Sequence, residues 1–174
     1  MKSKILISAC LMGFNVRYNG RDKPFVSDAL QQLRQQNRLV IFCPEVAAGL
    51  QTPRLPAEIR GGNGDQVLTG AASIVESDGT DASTVYRLAA RLALTTALQH
   101  GCRFALLTDG SPTCGSQHIY NGTFSGQQVN GQGVAAALLR QHGIEVFSHR
   151  HPEQLLARIA ITETNPRLLP HFAG

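Results

Sequence analysis

Three short apolar runs in this chain each lead into a turn that carries a cysteine. The runs and their cysteines are 5–7 with Cys10, 39–42 with Cys43, and 104–107 with Cys114. Runs of this length and composition are typical of strands buried on both faces. If these strands are parallel neighbours, their carboxyl ends lie on one edge of a sheet, and we expect the three thiols to converge there.

Segments with helical spacing separate the apolar runs. The pattern predicts helices near 27–36, 81–100, 134–142 and 153–161, and further strands near 72–75 and 144–147. Residues 46–70 and 117–133 are predicted to be loops, because they are rich in glycine and in proline or polar residues. Alternating strands and helices form βαβ units, so we expect one α/β domain over 1–174: three layers around a central, mostly parallel, Rossmann-like sheet.

The composition is that of a globular protein, with 43% hydrophobic and 16% charged residues and no apolar run that could span a bilayer. The basic tip and apolar stretch at residues 1–10 resemble a signal peptide superficially. The stretch is too short, however, and Arg17, Arg21 and Asp22 follow it, so we predict a first strand and a cytoplasmic protein. In a reducing compartment, the four cysteines favour metal binding or catalysis over disulfides.

The formal net charge of +4 comes mostly from arginines that are spread along the chain. There is no basic block, and no exposed aromatic residues alternate with basic ones, so solvated surface charge is favoured over a nucleic-acid groove. We therefore expect a small-molecule partner, with no membrane and with nucleic acid disfavoured. The sequence does not indicate an oligomeric state.

Three thiolates at one edge suit a soft metal with one open coordination position. No Cys-x-x-Cys pair is present, which argues against zinc ribbons and thioredoxin-like pairs, and a zinc site would need a fourth ligand such as His118. An iron–sulfur cluster accepts thiolates from distant loops, and three cysteines leave one iron free to bind a substrate atom. Cys102 stands at the opposite end of its strand and is interpreted as a buried apolar residue. The spacing alone leaves both metals open.

Two polar residues beside the cysteines are candidates for catalysis. Glu45 stands two residues after Cys43, where a carboxylate could activate water as a general base. Ser111 stands three residues before Cys114 and could donate a hydrogen bond to a bound ligand. The structural alternatives are a surface acid or helix cap for Glu45 and a turn-forming serine for Ser111.

Taken together, the motifs around the three cysteines resemble the bacterial 2-thiouracil desulfidase family, formerly catalogued as domain of unknown function 523. The resemblance runs in order from Lys4 to Phe147. It is carried by Ser-Ala-Cys-Leu-Met-Gly at 8–13, Val-Arg-Tyr-Asn-Gly at 16–20, Phe-Cys-Pro-Glu at 42–45, Gly49-Leu50, Pro53-Arg54, Glu58, Ser-Pro-Thr-Cys-Gly at 111–115, Tyr-Asn-Gly-Thr-Phe at 120–124 and Gly-Gln-Gly-Val at 131–134. Each motif is weak alone, but the ordered set is highly specific.

The resemblance implies a [4Fe–4S] cluster held by Cys10, Cys43 and Cys114, with one iron not ligated by protein. That iron would take the thiocarbonyl sulfur of a thiouracil-type pyrimidine. The reaction would be non-redox: water replaces sulfur at the ring carbon, and sulfide is released. Glu45 would be the acid/base residue, and Ser111 would be a proton or hydrogen-bond donor.

The chain departs from the family pattern at a few positions, and two rival interpretations stand beside the desulfidase. Asn19 and Asn121 stand where the family often has Asp, and Thr108 stands where it often has Lys. The first rival is a non-enzymatic iron–sulfur or zinc binding module with a regulatory or redox role. The second is a metal-free nucleotide-binding enzyme, which residues 61–64 suggest only weakly because they match neither the G-x-G-x-x-G nor the Walker pattern. A thiouridine in tRNA is a variant substrate for the desulfidase interpretation. The scattered distribution of basic residues disfavours it.

Overall fold

A computed structural model of the protein describes residues 2–12, 28–165 and 167. The motif at 16–20 and the predicted helix start at residue 27 lie outside these ranges. In chain order the elements are β1 (Lys4–Ser8), a short 3₁₀ helix (Ala9–Met12), α1 (Asp28–Gln35), β2 (Leu39–Phe42), α2 (Pro44–Ala47), β3 (Ala57–Arg60), α3 (Gly64–Thr69), β4 (Ser73–Glu76), α4 (Ser83–Gln99), β5 (Cys102–Leu107), β6 (His118–Tyr120), β7 (Gln128–Asn130), α5 (Val134–Gln141), β8 (Glu145–Ser148) and α6 (Pro152–Thr164).

The centre of the fold is a four-stranded sheet in the order β2-β1-β5-β8, and all its neighbouring strands are parallel. The register places Ile7 beside Ile41 on one side and Leu106 on the other. From the central pair, β1 connects outward to β2 through α1, whereas β5 connects outward to β8 through α5. The boundary between β1 and β5 is therefore the topological switch point, where sheets of this kind bind ligands at the carboxyl ends of their strands.

Helices cover both faces of this sheet, which confirms the predicted α/β fold with a central parallel sheet. Because side chains alternate along a strand, Ile5 and Ile7 of β1 point to one face, into a core shared with Leu30 of α1 and Leu155 of α6. Leu6 points to the other face, into the core formed with α4 and α5. That second core is rich in alanines of the two helices, whose small side chains let the helices approach closely.

The predicted loops at 46–70 and 117–133 are wrong in part. The first contains β3 and α3, and the second contains the antiparallel pair β6 and β7. These elements are three to six residues long, too short to show a helical or strand period, and β3 depends on pairing with β4 further along the chain. Within the described ranges, none of the helices has the length and apolar character needed to cross a bilayer.

A close backbone contact attaches the turn that carries Cys114 to the start of α5. The amides of Gly133, Val134 and Ala135 donate hydrogen bonds to carbonyls at 115, 112 and 113, at 2.7, 2.8 and 2.9 Å. A Cβ atom on Gly133 would lie 2.5 Å from the carbonyl oxygen of Thr113, a distance that real Cβ atoms do not show. Glycine is therefore required at position 133 for reasons of space rather than of backbone angle.

Two glycine variants separate these reasons experimentally. Gly70 ends α3 with a φ of +86° and has no atom within 4 Å of an added Cβ, so Gly70→Ala should cost about 1 kcal/mol of stability from backbone strain alone. Gly133→Ala causes no such strain at its φ of −74° but must displace the neighbouring backbone, and we expect a loss of about 3 kcal/mol. Urea unfolding of both variants measures the difference, and equal losses would contradict the close contact.

Candidate functional site

A cavity of about 370 Å³ opens at the carboxyl ends of β1, β2 and β5. All five residues singled out from the sequence line it, namely Cys10, Cys43, Cys114, Glu45 and Ser111. None of the three thiols is part of a disulfide, and they are contributed by segments far apart in the chain. Parallel strand ends bring them together at the switch point, as the sequence predicts.

Cys10 lies in the 3₁₀ helix that follows β1, and its sulfur is 2.9 Å from the Thr108 hydroxyl. Ser8, the last residue of β1, accepts a hydrogen bond from the Thr108 amide at 3.0 Å. The Ser8 hydroxyl also hydrogen-bonds the Cys114 sulfur. Two buried hydroxyls at the ends of β1 and β5 therefore contact two of the three sulfurs.

Cys43 occupies the residue before α2, and Pro44 provides the first turn of that helix. Burial raises the pKa of the Cys43 thiol, while a hydrogen bond with the Val46 amide opposes the shift. The thiol is half-buried and faces the cavity, so it is accessible to a ligand bound there.

Cys114 lies at the end of the turn that Ser111 begins, and its thiol is buried. Burial raises its pKa well above the ordinary value, and the nearby charges of Glu45, Cys43 and Cys10 raise it further. This mutual influence shows that the three cysteines and Glu45 share one electrostatic environment. Nevertheless, within the parts of the chain that the structure describes, no three His, Cys, Asp or Glu side chains converge on a point suited to a single metal ion.

The Glu45 carboxylate is held by two partners from other elements. The Arg54 guanidinium lies 3.5 Å away, and the Tyr86 hydroxyl on α4 donates a hydrogen bond to the carboxylate. The Glu45 side chain is only 15% exposed, and its burial raises the pKa of the carboxyl, against the lowering effect of Arg54 and Tyr86. Burial and the Glu45 charge raise the pKa of Tyr86, so the hydroxyl stays protonated and available as a donor.

Ser111 begins the turn that carries Cys114. Its hydroxyl oxygen accepts hydrogen bonds from the amides of Thr113 and Cys114, both at 3.1 Å. Because the oxygen is the acceptor in both bonds, neither bond uses the hydroxyl proton. The turn-forming role and a donor role toward the cavity are therefore compatible.

Asp109, which sequence reasoning did not single out, organises the loop between β5 and β6. One carboxylate oxygen accepts amide hydrogen bonds from Gly110, Ser116, Gln117 and His118, at 2.8 to 3.3 Å. The other oxygen accepts the Ser148 hydroxyl at 2.8 Å. The sequence does contain a signal for this role. Asp109 stands after a buried strand and directly before a glycine, and an aspartate in such a position forms a turn by accepting backbone hydrogen bonds with its side chain.

Two residues weighed for metal binding lie elsewhere. Cys102 is fully buried at the start of β5, and six residues at about 3.3 Å each place it roughly 20 Å from the cavity edge. Its burial raises the pKa of the thiol to about 11. The His118 ring lies 3.6 Å from the Asp109 carboxylate and does not line the cavity.

Other residues at the cavity gave weaker signals in the sequence. Tyr86 stands within the helical pattern of α4, where an aromatic residue predicts only core packing. Glu58 and Phe124 both occur in the family motifs. The hydrogen bond between them joins residues 66 positions apart, so the local sequence does not indicate it. Residues 61–64, considered as a nucleotide loop, instead start α3 with a capping box formed by Asn63 and Gln66.

Comparisons with known proteins agree with the motifs. The model of the family described as 2-thiouracil desulfurase matches residues 5–151. The uncharacterized protein YbbK of Bacillus subtilis (strain 168) is 43% identical over 152 residues, which are 87% of this chain and 99% of that protein. A solved structure described as the [4Fe–4S]-dependent thiouracil desulfidase TudS is similar with a TM-score of 0.84 at 46% identity, covering 92% of this chain and 99% of that one. The family resemblance is thereby confirmed.

The hydrogen bonds of Asp109 predict a pH-dependent contribution to stability. Burial alone would raise the pKa of this carboxyl, but the His118 amide, the Ser148 hydroxyl and the Gln117 amide outweigh it, so the net pKa is lowered. The carboxylate therefore stabilises the fold at pH values above the ordinary pKa of aspartate, and this stabilisation is lost as the pH falls through its lowered value.

We expect Asp109→Asn to lower the free energy of unfolding at neutral pH by about 3 kcal/mol, because the remaining oxygen accepts the four amides without a negative charge and the amide nitrogen that replaces the other oxygen cannot accept the Ser148 hydroxyl. The loss should shrink in acid, where wild-type Asp109 is itself protonated. Asp78→Asn is the matched control: Asp78 is exposed and accepts the Thr80 amide through an oxygen that asparagine retains. Urea unfolding between pH 3 and 7 measures both variants, and a pH-independent loss would contradict this role of the carboxylate.

Proposed function

Because this chain belongs to the 2-thiouracil desulfurase family, we propose that it converts thiouracil-type pyrimidines to uracil with a [4Fe–4S] cluster. Water supplies the oxygen that replaces sulfur at the ring carbon, and its two protons leave with the sulfur as hydrogen sulfide. No electron is transferred to or from the protein in this exchange. Family membership also confirms the predicted enzyme class and disfavours the non-enzymatic binding module.

The observation that carries this proposal is the shared cavity at the switch point. Three cysteines, a carboxylate and a serine hydroxyl from three separate loops line the same space. A purely structural role for these residues would not require them to converge on one cavity. Its volume of about 370 Å³ is also typical of small-molecule sites.

The donor set fits an iron–sulfur cluster better than a single ion. Cys10, Cys43 and Cys114 offer three soft sulfur ligands, and Fe–S clusters are held by thiolates of this kind. A cluster of four irons is larger than one ion, so its thiolates need not converge on one point. This is consistent with the lack of a single-ion site among the described residues. Cys102 is excluded from the set by its distance.

When bound, the cluster supplies a thiophilic Lewis acid, through one iron without a protein ligand, at which the thiocarbonyl sulfur of the substrate can bind. The remaining steps belong to the protein. Several lining side chains, among them Cys10, Cys114 and Tyr86, are buried, and electrostatic interactions between buried groups are stronger than in bulk water. The reaction also needs a group that activates one water molecule in a fixed orientation.

Glu45 is the proposed group that activates this water. Its carboxylate accepts a proton as the water oxygen attacks the ring carbon. Arg54 and Tyr86 hold the carboxylate in one orientation, and both favour its ionised form. As the ring carbonyl forms and the sulfur leaves, Glu45 returns this first proton to the sulfur and then transfers the proton of the added hydroxyl group to it as well, so both protons leave with the sulfur and Glu45 ends in its starting state.

Ser111, in the loop that follows β5, is the proposed hydrogen-bond donor. Two amides fix its oxygen, so its proton can be directed into the cavity toward the substrate. A hydrogen bond there stabilises the charge that develops on the substrate as water adds. We further propose a cytoplasmic location, since free thiols and a cluster with an open iron both need a reducing compartment.

Anaerobic reconstitution with iron and sulfide tests the function directly. We expect the loaded protein to convert 2-thiouracil to uracil with release of sulfide, and the apoprotein to be inactive. Cys114→Ala should lose both the cluster and the activity, because it removes one of three ligands. Cys102→Ala is the matched control and should keep both. Iron content, visible absorbance and chromatography of the pyrimidines provide the measurements.

The outcomes of this experiment are distinct. Loss of the cluster in Cys102→Ala together with retention in Cys114→Ala would overturn the ligand assignment. A stable cluster in the wild type without any conversion of 2-thiouracil or 4-thiouracil would overturn the proposed substrate class.

Glu45→Gln tests the general base separately from the cofactor. Glutamine keeps the size of the side chain and one of its two acceptor oxygens but cannot accept the proton, so kcat should fall by a factor of about 100 or more. Cluster content should match the wild type. Glu153→Gln, an exposed substitution on α6, is the control and should leave kcat unchanged. Wild-type turnover in Glu45→Gln would rule out the assigned role.

A further inference from the structure

One wall of the cavity comes from the hairpin of β6 and β7 rather than from the strand ends of the central sheet. Tyr120, Phe124, Gly126 and Gln128 line the cavity from this hairpin. The cysteines, Glu45 and Ser111 line the same cavity from the segments that follow the central strands. The hairpin thus adds aromatic and amide groups to a site whose other segments provide sulfur, acid and hydroxyl.

Phe124 has an unusual backbone conformation. Its φ is +55°, in the left-handed region that phenylalanine rarely adopts. Such a conformation costs free energy and persists only where the surrounding structure enforces it. Because Phe124 is the one aromatic residue in this largely polar loop, the enforced position of its half-buried ring at the cavity calls for a functional explanation.

A buried carboxylate on β3 provides the enforcement. The same Glu58 oxygen accepts the amides of Gly122 at 2.9 Å and Phe124 at 3.2 Å. The Arg60 guanidinium donates to the Gly122 carbonyl at 3.3 Å. Gly122 itself has a φ of +88°, and an added Cβ would lie 2.7 Å from the Ile59 carbonyl oxygen. The loop is therefore clamped against β3, and the clamp determines where the Phe124 ring lies.

A hydrogen bond also fixes the orientation of the Gln128 side chain. Its side-chain oxygen accepts a hydrogen bond from the Arg150 guanidinium at 2.9 Å, which identifies the other end of the amide as the amino group. That amino group lies close above Gly110, 3.0 Å from the position a Cβ would take there. It therefore reaches the loop that bears Ser111 while its residue lines the cavity.

We propose that this hairpin recognises the pyrimidine: the Phe124 ring stacks on the plane of the heterocycle, and the Gln128 amino group donates a hydrogen bond to its carbonyl oxygen. The inference rests on the proposed function and deepens it. Both 2-thiouracil and 4-thiouracil carry one carbonyl group, two ring positions from the thiocarbonyl carbon. One donor on one wall can therefore serve either isomer while the sulfur faces the cysteines.

Uracil binding tests the stacking without depending on turnover. Uracil has the same ring and keeps the carbonyl group of the thiouracils, with a second oxygen in place of the sulfur, so its affinity reports recognition without turnover. With cluster-loaded protein in anaerobic titration calorimetry, Phe124→Ala should weaken uracil binding by a factor of about 10. Phe124→Tyr, which keeps the ring, should bind as the wild type does. Val129→Ala is the matched control on the same hairpin, because Val129 is 44% exposed and does not line the cavity.

Gln128→Ala tests the hydrogen bond through substrate discrimination. Pyrimidine-2-thione has the ring and the thiocarbonyl of 2-thiouracil but lacks the carbonyl. The wild type should favour 2-thiouracil in kcat/KM, and Gln128→Ala should reduce that preference by a factor of about 10. The reduction should come mainly from a higher KM for 2-thiouracil, with cluster content unchanged.

Each result separates this inference from the proposed function. Unchanged uracil affinity in Phe124→Ala, or no binding of uracil to the wild type, would overturn the stacking. An unchanged preference in Gln128→Ala would overturn the hydrogen bond. A wild type that binds uracil with the predicted dependence on Phe124 but leaves thiouracil intact would support the recognition surface and overturn the proposed reaction instead.

Discussion

Parallel pairing of β1, β2 and β5 is the constraint on which the rest of the site depends. Strands that run in one direction end at one edge, and the residues that follow them must leave the apolar interior there. In this chain the residues at that edge are the three cavity cysteines and their neighbours. Helices buried against both faces keep the strands in register, so small changes in core packing would be transmitted to the sulfur positions.

The loops at this edge are ordered by polar groups rather than by apolar packing. Asp109 gathers four amides of the loop that carries Cys114, and α5 donates three further amides to the same loop. Glu58 holds the hairpin loop in a comparable way, through the amides of Gly122 and Phe124. Carboxylates that accept several amides rigidify irregular backbone, which lets loops present reactive groups with little conformational freedom.

The cavity divides its chemistry between two walls. The strand-end wall offers thiols, a carboxylate held by Arg54 and Tyr86, and a serine hydroxyl. The hairpin wall offers an aromatic ring and an amide. In the proposed reaction the first wall handles sulfur and protons, while the second selects the ring that carries them. Separating these tasks allows the recognised ring to vary by changes in the hairpin without altering the cysteines.

The local pattern of the sequence was sufficient for the main elements of the central sheet, for the long helices and for the five residues that line the cavity together. Buried strands and long helices show their periods in any short window, and cysteines in turns after such strands are visible without a structure. The residues that position this chemistry were not visible in this way. Tyr86 reaches Glu45 from another element, and Glu58 reaches Phe124 across 66 positions, through a strand and a hairpin too short to show a period. The sequence by itself thus determined the α/β class and the candidate reactive groups, because both can be recognised from residues that are neighbours in the chain. Only the tertiary structure decided how those groups are oriented, because that depends on contacts between segments distant in the chain.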